Sequence, residues 1–187
     1  EIVTIVLDGE MTHRDSMGNQ AVIRTGDVQR MSAGTGLTHS EYNLADRPVH
    51  FYQIWIFPDE AKLKPSYDQK RFSASDWRNK LLPVASGQGK AGAVTFHTDA
   101  TIYRCDLEAG KKVAHKATAG RRIFVYLTKG LLTANGETVR SKDQARIDID
   151  EPLVLEAKQD SELILIDVPS CKGWGYSRET LKGKKSG

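Results

Sequence analysis

The chain carries the same ordered series of residues twice. Leu7-Asp8-Gly9 followed by Thr12 returns as Leu127-Thr128-Lys129-Gly130 followed by Thr133, and Gly18, Asp27 and Arg30 return as Gly136, Asp143 and Arg146. The offset is about 120 residues at first and drifts to 116 through a shorter second hairpin. An ordered series of this kind marks duplication, and a duplicated unit buries its apolar face against its twin. Two stacked copies of one unit are expected.

Each copy reads as short strands. Ile2–Leu7 is β-branched and apolar on both faces, which predicts a strand buried between two layers. Further strands are predicted at His50–Phe57, Ile102–Leu107, Ile123–Leu127, Leu131–Ala134, Gln144–Ile149, Leu153–Ala157 and Leu163–Val168. Turn signals separate them at Asp8-Gly9, Gly18-Asn19, Gly26-Asp27, Asn135-Gly136 and Asp150 to Pro152. Helical periodicity is weak, and only Ala74–Leu82 is expected as a short helix. The fold class is therefore all-β, of sandwich or barrel type. The expected organisation is a first barrel over 1–60, a connection over 61–92, a second barrel over 93–170 and a basic tail over 171–187.

Composition excludes several classes. Hydrophobic residues at 39% and charged residues at 27% describe a globular chain, and no apolar run approaches the ~18 residues of a membrane span. The net charge of +3 is misleading as a sign of nucleic-acid binding. Five basic residues and one acid fall in the tail, which leaves the body at −1, so no nucleic-acid partner is expected. Two cysteines, Cys105 and Cys171, are too few for a disulfide framework, and EIVTIVLDGE lacks the basic start of a secretory signal. A reducing, cytoplasmic setting is expected.

The chemistry concentrates between Arg24 and Asn43, where Gly26, Gly34 and Gly36 allow tight turns around a short strand. His39 and Glu41 are two apart, so on a strand both point to one face with Cα atoms about 6–7 Å apart. Imidazole plus carboxylate suits iron, zinc, manganese, nickel or copper without choosing among them, and the same spacing also serves a plain surface pair. His13 lies in the polar hairpin THRDSMGN and reads as a solvated turn residue. His50 reads as a core or edge histidine, and His97 has no partner at ligand spacing. Cys105, within IYRCDLE, reads as a packed small hydrophobe. No nucleophile elbow and no phosphate-cradling glycine loop is present, so hydrolase and nucleotide-binding readings lack support.

Gly26-Asp27, Ser32-Ala33-Gly34, His39 and Asn43 together resemble the second characteristic motif of the cupin superfamily, with Ser32 at the usual proline. More closely, the run from Leu7 to Asn19, the run from Gly26 to Gly36, His39-Ser40-Glu41 and Tyr52-Gln53-Ile54-Trp55 resemble the pirin family of bicupins. The resemblance implies a double-stranded β-helix repeated twice, as two face-to-face β-barrels with a short connecting helix. It also implies one divalent transition metal, iron first, with zinc, manganese, nickel and copper as alternatives. In the family the metal is held by two side chains of a His-Pro-His segment and two of a His-x-Glu segment. His39 and Glu41 match the second pair; the first pair would lie ahead of Glu1, where the repeat also predicts further strands. Poor metal affinity and weak turnover are then expected of the chain as it stands. At offset 120, His115 and Ala117 fall where a counterpart of that first pair would sit. At offset 116, Leu155 and Ala157 replace His39 and Glu41, so the second unit is expected to hold no metal.

For activity, the resemblance implies a dioxygenase that opens flavonols such as quercetin with release of carbon monoxide. Glu41 would be the catalytic base that accepts the substrate's hydroxyl proton. Tyr42 and Asn43 would be supports, and Tyr52, Ile54 and Trp55 would belong to the barrel lining. Other pirins are similar to metal-responsive proteins that modulate transcription factors or metabolic enzymes through a protein partner. That gives a non-enzymatic alternative, and a bicupin reduced to scaffold gives a third.

Overall fold

A computed structural model describes residues 1–116, 118–148 and 152–170. Ala117, the predicted strand end at Ile149, the turn residue Asp150, Cys171 and the basic tail lie outside the described residues. Seven strands come first: β1 Ile2–Asp8, β2 Glu10–Asp15, β3 Gln20–Arg24, β4 Asp27–Ser32, β5 His39–Tyr42, β6 His50–Trp55 and β7 Ser66–Arg71. Ten follow: β8 Leu82–Ser86, β9 Val94–Thr95, β10 Thr101–Leu107, β11 Lys112–His115, β12 Arg121–Lys129, β13 Leu131–Ala134, β14 Glu137–Arg140, β15 Gln144–Asp148, β16 Leu153–Ala157 and β17 Ser161–Pro169.

In the first unit a sheet ordered β6-β1-β4-β7 faces a sheet ordered β3-β2-β5; in the second, β15-β12-β17-β10-β8-β9 faces β11-β16-β13-β14. The duplication is plain in this pairing. β1 lies between β4 and β6 as β12 lies between β15 and β17, and β2 lies between β3 and β5 as β13 lies between β14 and β16. The fold is all-β, two cupin-type barrels face to face. The stretch over 61–92 adds β7 to the first large sheet and β8 to the second, where β9 pairs with it.

The repeated residues recur because each makes the same bond twice. The Gly9 carbonyl accepts from the Thr25 amide at 3.1 Å, as the Gly130 carbonyl accepts from the Ser141 amide at 3.1 Å. Asp27 Oδ2 accepts from the Arg24 amide at 2.8 Å, as Asp143 Oδ2 accepts from the Arg140 amide at 2.9 Å. Gly9 and Gly130 hold φ of 79° and 95°, and a Cβ there would collide with the Pro48 and Asp160 carbonyls respectively. Glycine is required twice over at each.

Strand register corrects the offsets. Thr12 stands opposite Tyr42 as Thr133 stands opposite Glu156, so β2 and β13 are related by 121 residues and β5 and β16 by 114. The second shift arises because six residues separate β4 from β5 but only four separate β15 from β16.

The expected helix over Ala74–Leu82 is reduced to a single 3₁₀ turn, Ala74–Asp76. Asp76 Oδ2 accepts from the Ser73 amide at 2.7 Å and starts the turn. The chain then drives Trp77 into the core and reaches φ 55° at Asn79, which ends helical geometry. Trp77 is fixed there by its indole N–H on Asp106 Oδ2 at 2.8 Å and by the Arg104 guanidinium 4.1 Å above its ring.

The two large sheets enclose a shared core in which Val3, Ile5 and Val28 of the first unit meet Val84, Phe96, Ala100, Ile102 and Ile164 of the second. β1 is buried on both faces, as its two-sided apolar run predicts. Among the described residues no helix is long and apolar enough to cross a membrane.

Candidate metal centre

Pairing of β2 with β5 sets His13 opposite Glu41 and Asp15 opposite His39. His39 and Glu41 share one strand face, and His13 meets them from the neighbouring strand. Ligand atoms of the three lie within 4.8 Å of one another. His39 Nδ1 is 3.9 Å from Glu41 Oε1, and the two imidazole centroids are 5.7 Å apart.

His13 is a correction to the sequence reading. It is 0% exposed rather than solvated, because the hairpin turn begins only after Asp15, leaving His13 inside strand β2. Two residues from the buried Met11, it faces the barrel interior and stacks on Tyr67 at 5.1 Å and 27°. His39 and Glu41 are therefore not the only ligand-type side chains there.

The His13 Nε2–H donates to Asp15 Oδ2 at 3.2 Å, which assigns the lone pair to Nδ1. Asp15 is itself held by the Met17 and Asn19 amides at 2.9 and 3.0 Å and by Asn19 Nδ2 at 2.8 Å. Burial works to raise its pKa, but these donors outweigh it and hold the carboxyl below its usual range. Nδ1 of His13 and Nδ1 of His39 are both buried without a hydrogen-bond partner. Two buried imidazole nitrogens without partners, beside a carboxylate, are costly and fit a cation placed among them. Donors on one ion at ~2.0–2.2 Å lie up to about 4.2 Å apart, so a small inward movement closes the set.

Glu41 is gripped from the opposite sheet. Gln53 Nε2 donates to its two carboxylate oxygens at 3.2 and 3.1 Å, and Gln53 Oε1 accepts from Trp55 Nε1 at 3.0 Å. Gln53 belongs to a polar row: it pairs with Thr4, Thr4 with Gln29, and Gln29 with Gln69 across β6-β1-β4-β7. Tyr67 donates to Gln69 Oε1 at 2.8 Å, and burial, with the charge of Asp15, pushes its hydroxyl up to about 12.

The second barrel replaces this set with hydrocarbon. By register, Ala134 answers His13, Leu153 answers His39 and Leu155 answers Glu41, which corrects the expected Leu155 and Ala157. The polar row becomes Leu165-Val125-Ala145. All of these residues belong to or pack on one apolar cluster. His115 pairs with Asp167 Oδ2 at 2.8 Å, and Arg121 Nε donates to Asp167 Oδ1 at 2.6 Å, which makes a buried ion network.

Several expected lining residues lie elsewhere. Tyr52 and Ile54 face the second unit, with Tyr52 edge-on to Tyr126 at 5.3 Å, because alternation puts Gln53 inside instead. Trp55 is 71% exposed at the rim and Tyr42 is 43% exposed. Asn43 supports the following loop, donating to the Arg47 carbonyl at 2.8 Å and accepting from the Ala45 amide at 3.1 Å. His50 is exposed at the start of β6. His97, which has no partner at ligand spacing along the chain, has Nδ1 2.9 Å from Glu1 Oε1, 96 residues away. Cys105 is fully buried, and burial pushes its thiol up to about 12.

Residues 1–56 match the Pirin family and residues 83–168 match the Quercetinase C-terminal cupin domain. The chain is 38% identical to the quercetin 2,3-dioxygenase of Escherichia coli K12, over 90% of this chain and 72% of the relative. It is 36% identical to a pirin-like protein of Caulobacter vibrioides, over 89% and 72%. Among solved structures it is similar to YhhW from Escherichia coli, with TM-score 0.84 at 38% identity, covering 90% of this chain and 71% of that one. The same bacterial pirin in complex with nickel(II) aligns with TM-score 0.83 at 36% identity, covering 90% and 72%.

Proposed function

The chain belongs to the pirin family, and from that premise we propose that it is a metal-dependent flavonol dioxygenase of the quercetin 2,3-dioxygenase kind. The observation that carries the reading is the donor set, two imidazoles and one carboxylate converging inside a barrel. Two histidines and a carboxylate with open positions is the pattern of non-haem iron(II) oxygenases, so iron is assigned first and zinc, manganese, nickel and copper stand as alternatives. The related Escherichia coli pirin has been solved with nickel(II).

A divalent ion held by His39, Glu41 and His13 would supply a Lewis-acid centre at which a flavonol hydroxyl and dioxygen are brought together. His13 and His39 offer unpartnered Nδ1 atoms, His13 with its Nε2 engaged by Asp15. Glu41 takes the hydroxyl proton onto a carboxylate oxygen as general base, and the Gln53 amide keeps that carboxylate aimed. The flavonol ring is opened and carbon monoxide is released.

The test is quercetin-dependent oxygen uptake and carbon monoxide release by metal-loaded protein. Glu41→Gln should lower the rate by roughly 10²–10⁴ while retaining the fold. Wild-type protein that holds stoichiometric metal yet consumes no oxygen with quercetin overturns the reading. Exposed Leu44, Trp55 and Phe57 favour a second reading, a cytoplasmic metal-responsive protein that binds a protein partner. Metal-dependent partner capture without flavonol turnover would support it.

A further inference from the structure

We infer that Gln53 is the positioning residue for Glu41, and that Trp55 decides which end of the Gln53 amide faces it. An amide presents two ends of nearly equal shape, so its partners fix its sense. The indole N–H of Trp55 can only donate, so Gln53 Oε1 faces it at 3.0 Å and Nε2 is turned to the carboxylate. There Nε2 lies 3.2 and 3.1 Å from the two Glu41 oxygens, and Thr4 Oγ1 backs it at 3.4 Å. One donor set between both oxygens fixes the plane of the carboxylate, while His13 and His39 share its remaining surroundings.

The duplicated barrel supplies an internal comparison. The counterpart of Gln53 is Leu165, the counterpart of Thr4 is Val125, and Leu155 stands where Glu41 stands. The amide is present in the copy that has the carboxylate and absent in the copy that does not. Packing alone does not demand it, since the second barrel fills the same positions with hydrocarbon.

The inference rests on Glu41 as a metal ligand, and not on flavonol turnover. Nickel(II) binding to the full chain is measured for wild type, Gln53→Leu, Trp55→Phe, Glu41→Ala and the Glu41→Ala/Gln53→Leu pair, with copper(II) electron paramagnetic resonance of each. Gln53→Leu should weaken nickel(II) binding about 10–100-fold and shift the copper spectrum, because partners of a ligand tune its affinity on that scale. Trp55→Phe should weaken it less, in the same direction. In the Glu41→Ala background, Gln53→Leu should cost nothing further. A folded Gln53→Leu with wild-type affinity and spectrum overturns the assignment. If that variant does not fold, an unchanged Trp55→Phe overturns it, since Trp55 lies at the surface. Wild type that binds no nickel(II) overturns the metal reading, and this assignment with it.

Discussion

Asp15 stands opposite His39 across the β2–β5 ladder, yet its carboxylate is engaged by His13, whose Nε2 lies 3.2 Å from Oδ2. That choice orients one imidazole and leaves the other unengaged at Nδ1. Asp15 thereby joins the hairpin turn to the interior, because the same carboxylate binds the Met17 and Asn19 amides.

His13→Ala should weaken metal binding at least as much as the about 10–100-fold typical of losing a ligand's partner, and Asp15→Asn should fall within that range. Titration of iron(II) or nickel(II) against each variant checks this. Unchanged affinity in His13→Ala would remove His13 from the donor set.

The buried network of the second unit predicts an acid response. Burial opposes ionisation of Asp167, but bonds from His115 and Arg121 win and hold its carboxyl below the usual range. As the pH falls, the unfolded chain binds this proton first. The stabilisation is therefore complete above about pH 5, declines through the ordinary value of ~3.9, and is gone below the folded value. Asp167→Asn should flatten the change in urea midpoint between pH 5 and 3. At pH 7 it should cost about 1–3 kcal/mol, because Arg121, only 8% exposed, loses one charged partner and keeps Asp99 at 2.7 Å.

Leu155→Ala should destabilise the protein by about 2–5 kcal/mol, read as a lowered thermal midpoint, since Leu155 is fully buried in the apolar cluster. Nickel(II) stoichiometry should be unchanged. Loss of metal in this variant would contradict the assignment of the centre to the first barrel.

Cys105 should resist iodoacetamide in the native protein and react once denaturant unfolds it, because burial both hides the thiol and keeps it protonated. Peptide mass spectrometry reads the modification. Rapid native labelling at this residue would contradict its packing.

Local turn chemistry makes the duplication legible in the sequence, since Gly9 and Asp27 act within a few residues and recur as Gly130 and Asp143. What is set by pairing between distant strands was less accessible. His13 sits beside a polar turn, and its polar neighbours outweighed the one informative sign, its place two residues after Met11. A two-residue difference in loop length moved the counterpart of His39 from Leu155 to Leu153. Gln53 is visible as a polar residue in the apolar run HFYQIWIF, but a run apolar at both alternating sets of positions gives no alternation from which to read its direction.

β1 belongs to two interiors at once. Val3 and Ile5 enter the shared core, while Thr4 lies in the polar row behind Glu41. A slip of one residue would exchange these faces, turning valine and isoleucine toward the donors and threonine toward hydrocarbon. The alignment of the chamber is thus fixed partly from outside it, by side chains such as Ile102 and Ile164. Ile102 and Ile164 are the jig in which the first barrel is held true, and wear there, unlike wear at Leu155 inside the second barrel, should appear as a loosened metal site.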